Sequence, residues 1–260
     1  MYTETQAKIL LLDIETSPAK VYSWGIYEQD IPINHIIDYP HLLCWSAKWL
    51  GEDKILSDAQ INYPTAFKKN PKDDSKVARS IHALLDECDI AVAHNGDQFD
   101  FKKLNTFFLK NGMAAPSPYR TIDTKKVSKG NFGFISNKLD SLCRELEIGA
   151  KLQHSGMSLW TGCMAGDRAA WATMIRYNKQ DVKLLEELYL ELLPYMKTHP
   201  GIHFADSLSC PNCTSKDTQK RGWIINRGGK YQRHQCRQCG AWFKGEKIRS
   251  KLQKLPERNV

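Results

Sequence analysis

The chain has 260 residues, of which 42% are hydrophobic and 25% are charged, and its formal net charge is +8. These values are typical of a globular protein and exclude a largely disordered or fibrous chain. The longest purely aliphatic run, from Ile9 to Leu12, is too short to span a bilayer, and residues 1–8 do not have the pattern of a secretory signal.

The excess positive charge lies towards the C-terminus. Residues 205–260 contain 13 Lys and Arg against 4 Asp and Glu, whereas residues 1–204 contain 24 against 25. This asymmetry indicates an appended module that binds a polyanion, although a solvated basic tail has the same composition. Two Cys-x-x-Cys pairs fall in the same basic part of the chain, so the cysteines indicate the same division.

Apolar runs and helical spacing predict alternating strands and helices over the first three quarters of the chain. A short aliphatic run predicts a strand at residues 8–14, and residues 41–50 together with 55–58 predict a hairpin. Apolar residues three and four apart predict an amphipathic helix at residues 74–89, followed by a strand at Ile90–Ala93.

The same alternation continues along the next hundred or so residues. The further predicted elements are a helix at residues 101–110, a strand at 120–124, a helix from Ser136 or Asn137 to Gly149, and a long helix at 167–193. Strands that alternate with helices imply an α/β domain with a mixed sheet flanked by helices.

Two carboxylates, Asp13 and Glu15, lie at the end of the first predicted strand. Side chains two residues apart on a strand point to the same face, so these carboxylates project together. Two adjacent negative charges are unfavourable without a cation or water, and Mg²⁺ and Mn²⁺ prefer carboxylate oxygens. Two exposed acids at a strand end are the alternative interpretation.

Two further sites in the sequence carry acidic side chains in informative positions. Asp100 lies at the start of a predicted helix, where a helix-capping role is the alternative to a catalytic one. Tyr177 and Asp181 are four residues apart and therefore share one face of the long helix. For this pair, the alternative is a buried tyrosine hydroxyl bonded to a nearby carboxylate.

Three motifs occur in a fixed order, Asp13-x-Glu15, Asn95-x-x-x-Phe99-Asp100 and Tyr177-x-x-x-Asp181. Together they resemble the DEDD superfamily of 3′–5′ exonucleases, which have a ribonuclease-H-like fold. The last motif is similar to that of the tyrosine branch, because the histidine branch has a histidine where Arg176 stands.

This resemblance implies roles for the motif residues. Two Mg²⁺ or Mn²⁺ ions would be held by the carboxylates of Asp13, Glu15, Asp100 and Asp181. Tyr177 is expected to orient the attacking water, because a pKa of about 10 makes a tyrosine a poor general base. Asn95 and Phe99 are expected to position the terminal nucleotide, although Phe99 suits the core equally well. Three nearby acids are expected to be structural: Asp97, Asp123 and Asp140.

The paired cysteines, Cys210 with Cys213 and Cys236 with Cys239, have the spacing of a tetrahedral Zn²⁺ site. A disulfide interpretation would require an oxidising compartment. Two short β-like runs around Gly228-Gly229 predict a hairpin between the pairs, and this region resembles a zinc ribbon. Four cysteines would leave no open position on the ion, so the zinc is expected to be structural.

Cations and aromatic residues are interleaved in the predicted hairpin, a composition that suits nucleic acid because cations contact phosphates and rings stack on bases. The candidate substrate-binding residues there are Arg221, Trp223, Arg227, Lys230, Tyr231, Arg233 and Lys244. The alternative is that the rings of Trp223, Tyr231 and Trp242 form the small core of the ribbon.

We therefore predict a ribonuclease-H-like exonuclease domain at residues 1–197, a linker at 198–207, a zinc ribbon at 208–245 and a basic flexible tail at 246–260. The predicted reaction is metal-dependent 3′–5′ hydrolysis of terminal phosphodiesters of DNA, with the ribbon assisting substrate binding. An exoribonuclease and a catalytically inactive nucleic-acid-binding adaptor are the alternatives.

The expected partner is nucleic acid, with DNA preferred over RNA, and a replication or repair protein is a further expected partner. No membrane association is expected. The compact two-module build suggests the cytoplasm of a bacterium or of a phage-infected cell.

Overall fold

The computed structural model describes residues 7–27, 30–197, 199–200, 209–226 and 228–247. The chain divides into two compact units between Leu192 and Leu193. We call Ala7–Leu192 the large unit, and the described residues from Leu193 onwards the small unit. The predicted linker, apart from residues 199–200, and the predicted tail from residue 248 onwards lie outside the described residues.

A five-stranded mixed sheet forms the centre of the large unit. The strands of this unit are β1 (Ile9–Thr16), β2 (Lys20–Val21), β3 (Ile36–Asp38), β4 (Leu42–Trp49), β5 (Ile55–Ala59), β6 (Ile90–Ala93) and β7 (Arg120–Asp123). The main sheet has the order β5-β4-β1-β6-β7, and β2 pairs separately with β3. Strand β1 is central, because it pairs antiparallel with β4 and parallel with β6.

Helices cover both faces of this sheet. They are α1 (Pro64–Lys69), α2 (Ser75–Glu87), α3 (Asp100–Lys110), α4 (Thr124–Asn131), α5 (Leu139–Glu145), α6 (Met157–Met164) and α7 (Arg168–Leu192). Leu10, Leu12 and Ile14 of β1 belong to the core cluster that includes residues of α2 and α3. Because side chains alternate along a strand, Asp13 and Glu15 point to the opposite face, where α7 contacts β1.

The predicted fold class, a mixed sheet flanked by helices, is confirmed. One difference bears on the site: β1 continues to Thr16, with Asp13 opposite Ser46 and Glu15 opposite Cys44. Glu15, which lay beyond the end of the predicted strand, is therefore within a paired strand together with Asp13. The strand is longer than its apolar run because it pairs with β4, and the apolar pattern of one segment does not indicate its pairing partner.

Several short elements were not predicted. Helix α4 has a polar sequence, and it begins where the Asp123 side chain accepts hydrogen bonds from Lys125 N and Lys126 N. Helix α6, Met157–Met164, is apolar around most of its circumference, so it lacks the periodicity that marks an amphipathic helix. The pair β2 and β3 is too short for any strand pattern to indicate it.

The small unit contains a three-stranded antiparallel sheet, formed by β8 (Thr218–Asn226), β9 (Gly229–Cys236) and β10 (Trp242–Lys247) in the order β10-β9-β8. The predicted hairpin corresponds to β8 and β9. Among the described residues of this unit, the Phe243 ring packs against the buried cysteines, whereas Trp223 and Trp242 are about half exposed. Across the described parts of both units, no helix combines the length and apolarity needed to cross a membrane.

Candidate active site and metal centres

Three carboxylates meet between β1 and α7. The ligand oxygens of Asp13, Glu15 and Asp181 lie within 4.8 Å of one another. Asp181 is 1% exposed, and its Oδ1 is buried without a hydrogen-bond partner among the described residues. A buried carboxylate oxygen without a donor is costly, so this atom is placed as a ligand for a cation would be.

Asp100 adjoins these three acids. It is the first residue of α3, it is 2% exposed, and its Oδ1 accepts a hydrogen bond from Ile14 N at 3.2 Å. Ile14 lies between Asp13 and Glu15, so the hydrogen bond ties the start of α3 to the acidic part of β1. We call Asp13, Glu15, Asp100 and Asp181 the acidic cluster.

The acidic cluster is electrostatically unfavourable on its own. Burial, together with the charges of neighbouring acids, raises the pKa of Asp13 well above its usual range. Burial and then the charge of Asp181 raise the pKa of Glu15 to about 8, and burial raises the pKa of Asp100 to about 7. Four oxygen-donor groups that resist ionisation in the absence of a cation fit hard divalent ions such as Mg²⁺ or Mn²⁺.

Lys151 is a cation inside this site that the sequence did not indicate. Its Nζ lies 2.5 Å from Asp181 Oδ2 and 3.0 Å from the Tyr177 hydroxyl. Burial lowers the pKa of Lys151, but the charge and hydrogen bond of Asp181 outweigh it, so the pKa is raised above its usual value. Asp140 Oδ1 accepts a hydrogen bond from Lys151 N at 2.7 Å, which holds the backbone at this position.

Two other polar side chains contact the acidic cluster without having been predicted. Asn178 is fully buried, and its Nδ2 donates to Asp13 Oδ2 at 2.6 Å. Trp160 of α6 is close enough to the Glu15 carboxylate to lower its pKa. Asn178 is three residues from Asp181 and therefore shares its helix face, a signal that was available in the sequence. Trp160 and Lys151 lie in segments without a recognisable motif.

Tyr177 is 8% exposed and faces the acidic cluster. Its hydroxyl accepts a hydrogen bond from Lys151 Nζ at 3.0 Å, and the same Nζ donates to Asp181 Oδ2, so Lys151 bridges the tyrosine and the carboxylate. Burial and the charge of Asp181 raise the pKa of Tyr177 to about 12. The hydroxyl therefore stays protonated near neutral pH, where it can orient a water molecule but cannot deprotonate one.

The loop that carries Asn95 and Phe99 is held in a tight turn. Asn95 has a φ of 68°, and its carbonyl accepts hydrogen bonds from the backbone N–H groups of Gln98 and Phe99. Gly96 is required, because a Cβ there would lie 2.5 Å from the Cβ of Ala93. The Phe99 ring is 37% exposed, so it belongs to the surface of the site as well as to its framework.

The three acids expected to be structural have partners that account for them. Asp97 Oδ2 pairs with Lys126 Nζ at 2.8 Å, and Asp140 Oδ2 pairs with Arg144 Nε at 2.8 Å. Asp123 Oδ1 accepts a hydrogen bond from Asn95 N at 2.9 Å in addition to capping α4. Asp123 therefore positions the loop that precedes Asp100.

The small unit brings its four cysteines together. The Sγ atoms of Cys210, Cys213, Cys236 and Cys239 lie within 4.8 Å of one another, and all four are free thiols. Cys210 Sγ is 3.6 Å from Cys239 Sγ, and Cys213 Sγ is 3.6 Å from Cys236 Sγ. A tetrahedral site with Zn–S bonds of about 2.3 Å has S–S edges of about 3.8 Å, so this donor set fits Zn²⁺.

The candidate substrate-binding residues of the small unit lie on two faces of its sheet. Lys244 pairs with Arg233, which places both on one face with Tyr231 and Trp242, and we call this the Arg233 face. Trp223 and Lys230 lie on the other face, opposite Gln232 and Ile225, and we call this the Lys230 face.

Each face stacks cations on aromatic rings. On the Arg233 face, the Arg233 guanidinium lies 5.0 Å from the Trp242 ring centre, and Lys244 Nζ lies 4.3 Å from that of Tyr231. On the Lys230 face, Lys230 Nζ lies 4.9 Å from the Trp223 ring centre. Arg221 is exposed and its carbonyl accepts from Arg233 Nε at 2.8 Å, whereas Arg227 lies outside the described residues.

Comparison with known proteins places the large unit in a family. A model of the RNase_H superfamily matches residues 54–193, which is more than half of the chain. The chain belongs to the RNase_H superfamily. The match includes Asp100, Tyr177 and Asp181, whereas β1 lies before it. The resemblance stated from the three motifs is thus confirmed for the RNase_H superfamily. The predicted four-cysteine cluster is present in the small unit.

A solved structure shares the fold of this RNase_H superfamily protein. The family B DNA polymerase from the hyperthermophilic archaeon Pyrobaculum calidifontis matches with a TM-score of 0.53 and 16% sequence identity. The match covers 72% of this chain and 25% of the polymerase chain, so this chain corresponds to about a quarter of the polymerase. At this identity the similarity shows the fold alone. No curated protein matches the sequence significantly.

The acidic cluster predicts how metal-free stability depends on pH. Folded-state pKa values of about 8 for Glu15 and about 7 for Asp100 lie above the unfolded values. The stability that these protonated acids contribute is therefore complete below about pH 4 and is lost as the pH rises through about 7 to 8. In EDTA, the midpoint temperature of thermal unfolding should decrease as the pH is raised from 5 to 8. Asp13→Asn should raise the midpoint at pH 8, because asparagine is neutral and removes the cost of keeping one buried acid protonated.

Divalent ions should reverse this loss in the unsubstituted protein. At about a hundred times the dissociation constant, Mg²⁺ or Mn²⁺ should stabilise it by about 3 kcal/mol. Asp13→Asn should show a much smaller effect, measured by differential scanning calorimetry. An equal stabilisation of both proteins would contradict the assignment of the metal site.

Lys151→Met should destabilise the metal-free protein, because it leaves the buried Asp181 carboxylate without its cation. We expect a loss of about 2–3 kcal/mol in urea unfolding, somewhat below the usual cost of breaking a fully buried pair, because the lysine side chain is 28% exposed. Lys151→Arg keeps the charge and should recover most of the loss. A methionine variant as stable as the unsubstituted protein would show that Lys151 does not neutralise Asp181.

Proposed function

We propose that this protein is a metal-dependent 3′–5′ exonuclease that hydrolyses the terminal phosphodiester of DNA. The observation that carries the proposal is the convergence of four carboxylates from β1, α3 and α7, one of whose buried oxygens has no partner among the described residues. A cluster of this kind is what a pair of divalent ions needs, and membership of the RNase_H superfamily makes nucleic acid the fitting substrate.

The acidic cluster would hold two Mg²⁺ or Mn²⁺ ions. Bound there, the ions would supply charge stabilisation to both the attacking and the leaving oxygen of the phosphodiester. The chain's own residues orient the other reactants. The Tyr177 hydroxyl, protonated near neutral pH, would orient the attacking water, and Asn178 holds the Asp13 carboxylate in place through its 2.6 Å hydrogen bond.

Lys151 adds positive charge next to the reacting phosphate in this proposal. Its ammonium contacts Asp181 and Tyr177 directly, so it would hold both side chains in position as the site fills. Asn95 and Phe99, in the loop before α3, would position the terminal nucleotide, and the partly exposed Phe99 ring is available to stack on its base. The polymerase that shares the fold acts on DNA, which favours DNA over RNA.

The activity is tested with DNA and RNA strands labelled at the 5′ or the 3′ end, incubated with Mg²⁺, Mn²⁺ or EDTA. We expect a ladder that shortens from the 3′ end of DNA and requires metal. Asp181→Asn should lower kcat at least about a hundredfold, whereas the exposed Asp53→Asn is the matched control and should not.

Other outcomes of this assay distinguish the alternatives. Faster degradation of RNA would indicate an exoribonuclease, and shortening from the 5′ end would contradict the proposed polarity. Binding of strands without any cleavage in either metal would indicate an inactive adaptor.

We further propose that the small unit, its fold held by Zn²⁺ on the four cysteines, binds the nucleic-acid strand. Nine Lys and Arg stand against two Asp and Glu in residues 209–247, so the unit stays cationic even after the four thiolates bind zinc. In this proposal the cations contact phosphates and the neighbouring rings stack on bases. The residues proposed to do so are Arg221, Trp223, Arg227, Lys230, Tyr231, Arg233 and Lys244.

Two double variants test the contribution of each face of the small unit to binding. Arg233→Gln with Lys244→Gln removes two cations from the Arg233 face, and Lys220→Gln with Lys230→Gln removes two from the opposite face. The Arg233 face has two ring–cation pairs. Its variant should therefore bind a single-stranded oligonucleotide more weakly than the unsubstituted protein does, and its plot of log K against log salt should be less steep by about 1.4. Unchanged salt slopes for both variants would contradict nucleic-acid binding by this unit.

A further inference from the structure

A second basic surface lies on the large unit, along the helix that begins at Asp100 of the acidic cluster. An open groove of about 600 Å³ runs along α3 and has Tyr39 and Pro40 on its other wall. Three lysines, Lys102, Lys103 and Lys110, line it. We call this the α3 groove. None of its lysines belongs to the motifs that predicted the site.

The polar side chains of α3 are arranged in a stripe along the groove. Lys102, Thr106 and Lys110 are spaced by four residues, so they lie on one face of the helix, and Gln98, in the turn before the helix, lines the same groove. Lys102 Nζ donates a hydrogen bond to Gln98 Oε1 at 2.8 Å. Next to this stripe, Lys103 Nζ lies 6.0 Å from the centre of the Phe99 ring. This contact joins a lysine of the groove to the residue that precedes Asp100.

The charge of the groove is uncompensated. No acidic side chain is among the described residues that line it, and none of its three lysines forms an ion pair with a described residue. Asp38, which precedes Tyr39, is paired with Lys72 instead. By contrast, the cleft along α7 that contains Arg176, Lys179 and Lys183 also contains Asp53.

We propose that the α3 groove binds the single-stranded segment of the substrate that leads into the active site. Its lysines would contact successive phosphates, and the Tyr39 ring, which is 58% exposed, would stack on a base. This inference rests on the proposed nuclease function and extends it to the residues that hold the rest of the strand.

The length of the groove along α3 determines how many nucleotides it can contact. Asp100 is at the start of α3 and Lys110 is at its end, so the lysines extend up to about 15 Å from the acidic cluster along the helix axis. A stacked strand advances about 3.4 Å per nucleotide, so the groove spans up to about four nucleotides. A dinucleotide in the active site would not reach Lys110.

Substrate length therefore provides the test. A triple variant, Lys102→Gln, Lys103→Gln and Lys110→Gln, is compared with a matched triple variant of the α7 cleft, Arg176→Gln, Lys179→Gln and Lys183→Gln. We expect kcat/KM for a single-stranded DNA dodecamer to fall about tenfold or more in the groove variant only, with a clearly smaller loss for a dinucleotide, which would not reach Lys110. Lys110→Gln alone, at an exposed helix end, guards against misfolding of the triple variant and should show a smaller loss in the same direction.

Binding is measured separately by fluorescence anisotropy of the labelled dodecamer in EDTA. The groove variant should bind about tenfold more weakly than the α7 variant, and its salt slope should be lower by about 2, as expected when three phosphate contacts are lost. Equal binding and equal cleavage by the two triple variants would overturn the groove while leaving the exonuclease intact. Absence of cleavage by the unsubstituted protein would overturn the proposed function, and the anisotropy would then decide the groove alone.

Discussion

Mutual repulsion among buried carboxylates is the constraint on which the large unit depends. Asp13 and Glu15 cannot move apart, because both residues are paired with β4, opposite Ser46 and Cys44. Asp181 is brought against them by α7, whose apolar side chains pack in the core. Burial is the main cause of the raised pKa values of these acids, and the charges of neighbouring acids raise the pKa of Asp13 and Glu15 further, so a bound cation would relieve both costs.

The chain offsets part of that repulsion with its own donors. Lys151 places an ammonium on Asp181, Asn178 donates to Asp13, and the backbone N–H of Ile14 donates to Asp100. Among the described residues, none of these donors reaches Oδ1 of Asp181. The site is therefore organised without being fully neutralised, which is the condition that favours the entry of a divalent ion. Buried ion pairs and hydrogen bonds of this kind hold geometry more than they add stability.

The sequence predicted the parts of this arrangement that depend on local pattern. Strand β6 was predicted with its observed bounds because it is a continuous apolar run, and the acids were found because their spacing places them on one face of a strand or a helix. Lys151 and Trp160 were missed because their contacts join segments distant in sequence. In the small unit, the hairpin was predicted, but the assignment of Arg233 and Lys230 to opposite faces depends on a strand register with irregularities at Lys220/Trp223 and Lys244/Lys247.

The two units carry opposite local concentrations of charge. The large unit concentrates negative charge at one point of its sheet, and the small unit distributes positive charge over both faces of its own. The acidic cluster is expected to bind divalent cations, and anomalous diffraction from crystals soaked in Mn²⁺ tests this most directly. We expect anomalous peaks next to the carboxylates of Asp13, Glu15, Asp100 and Asp181. Well-ordered crystals with no Mn²⁺ peak at these carboxylates, at saturating metal and pH 8, would contradict it.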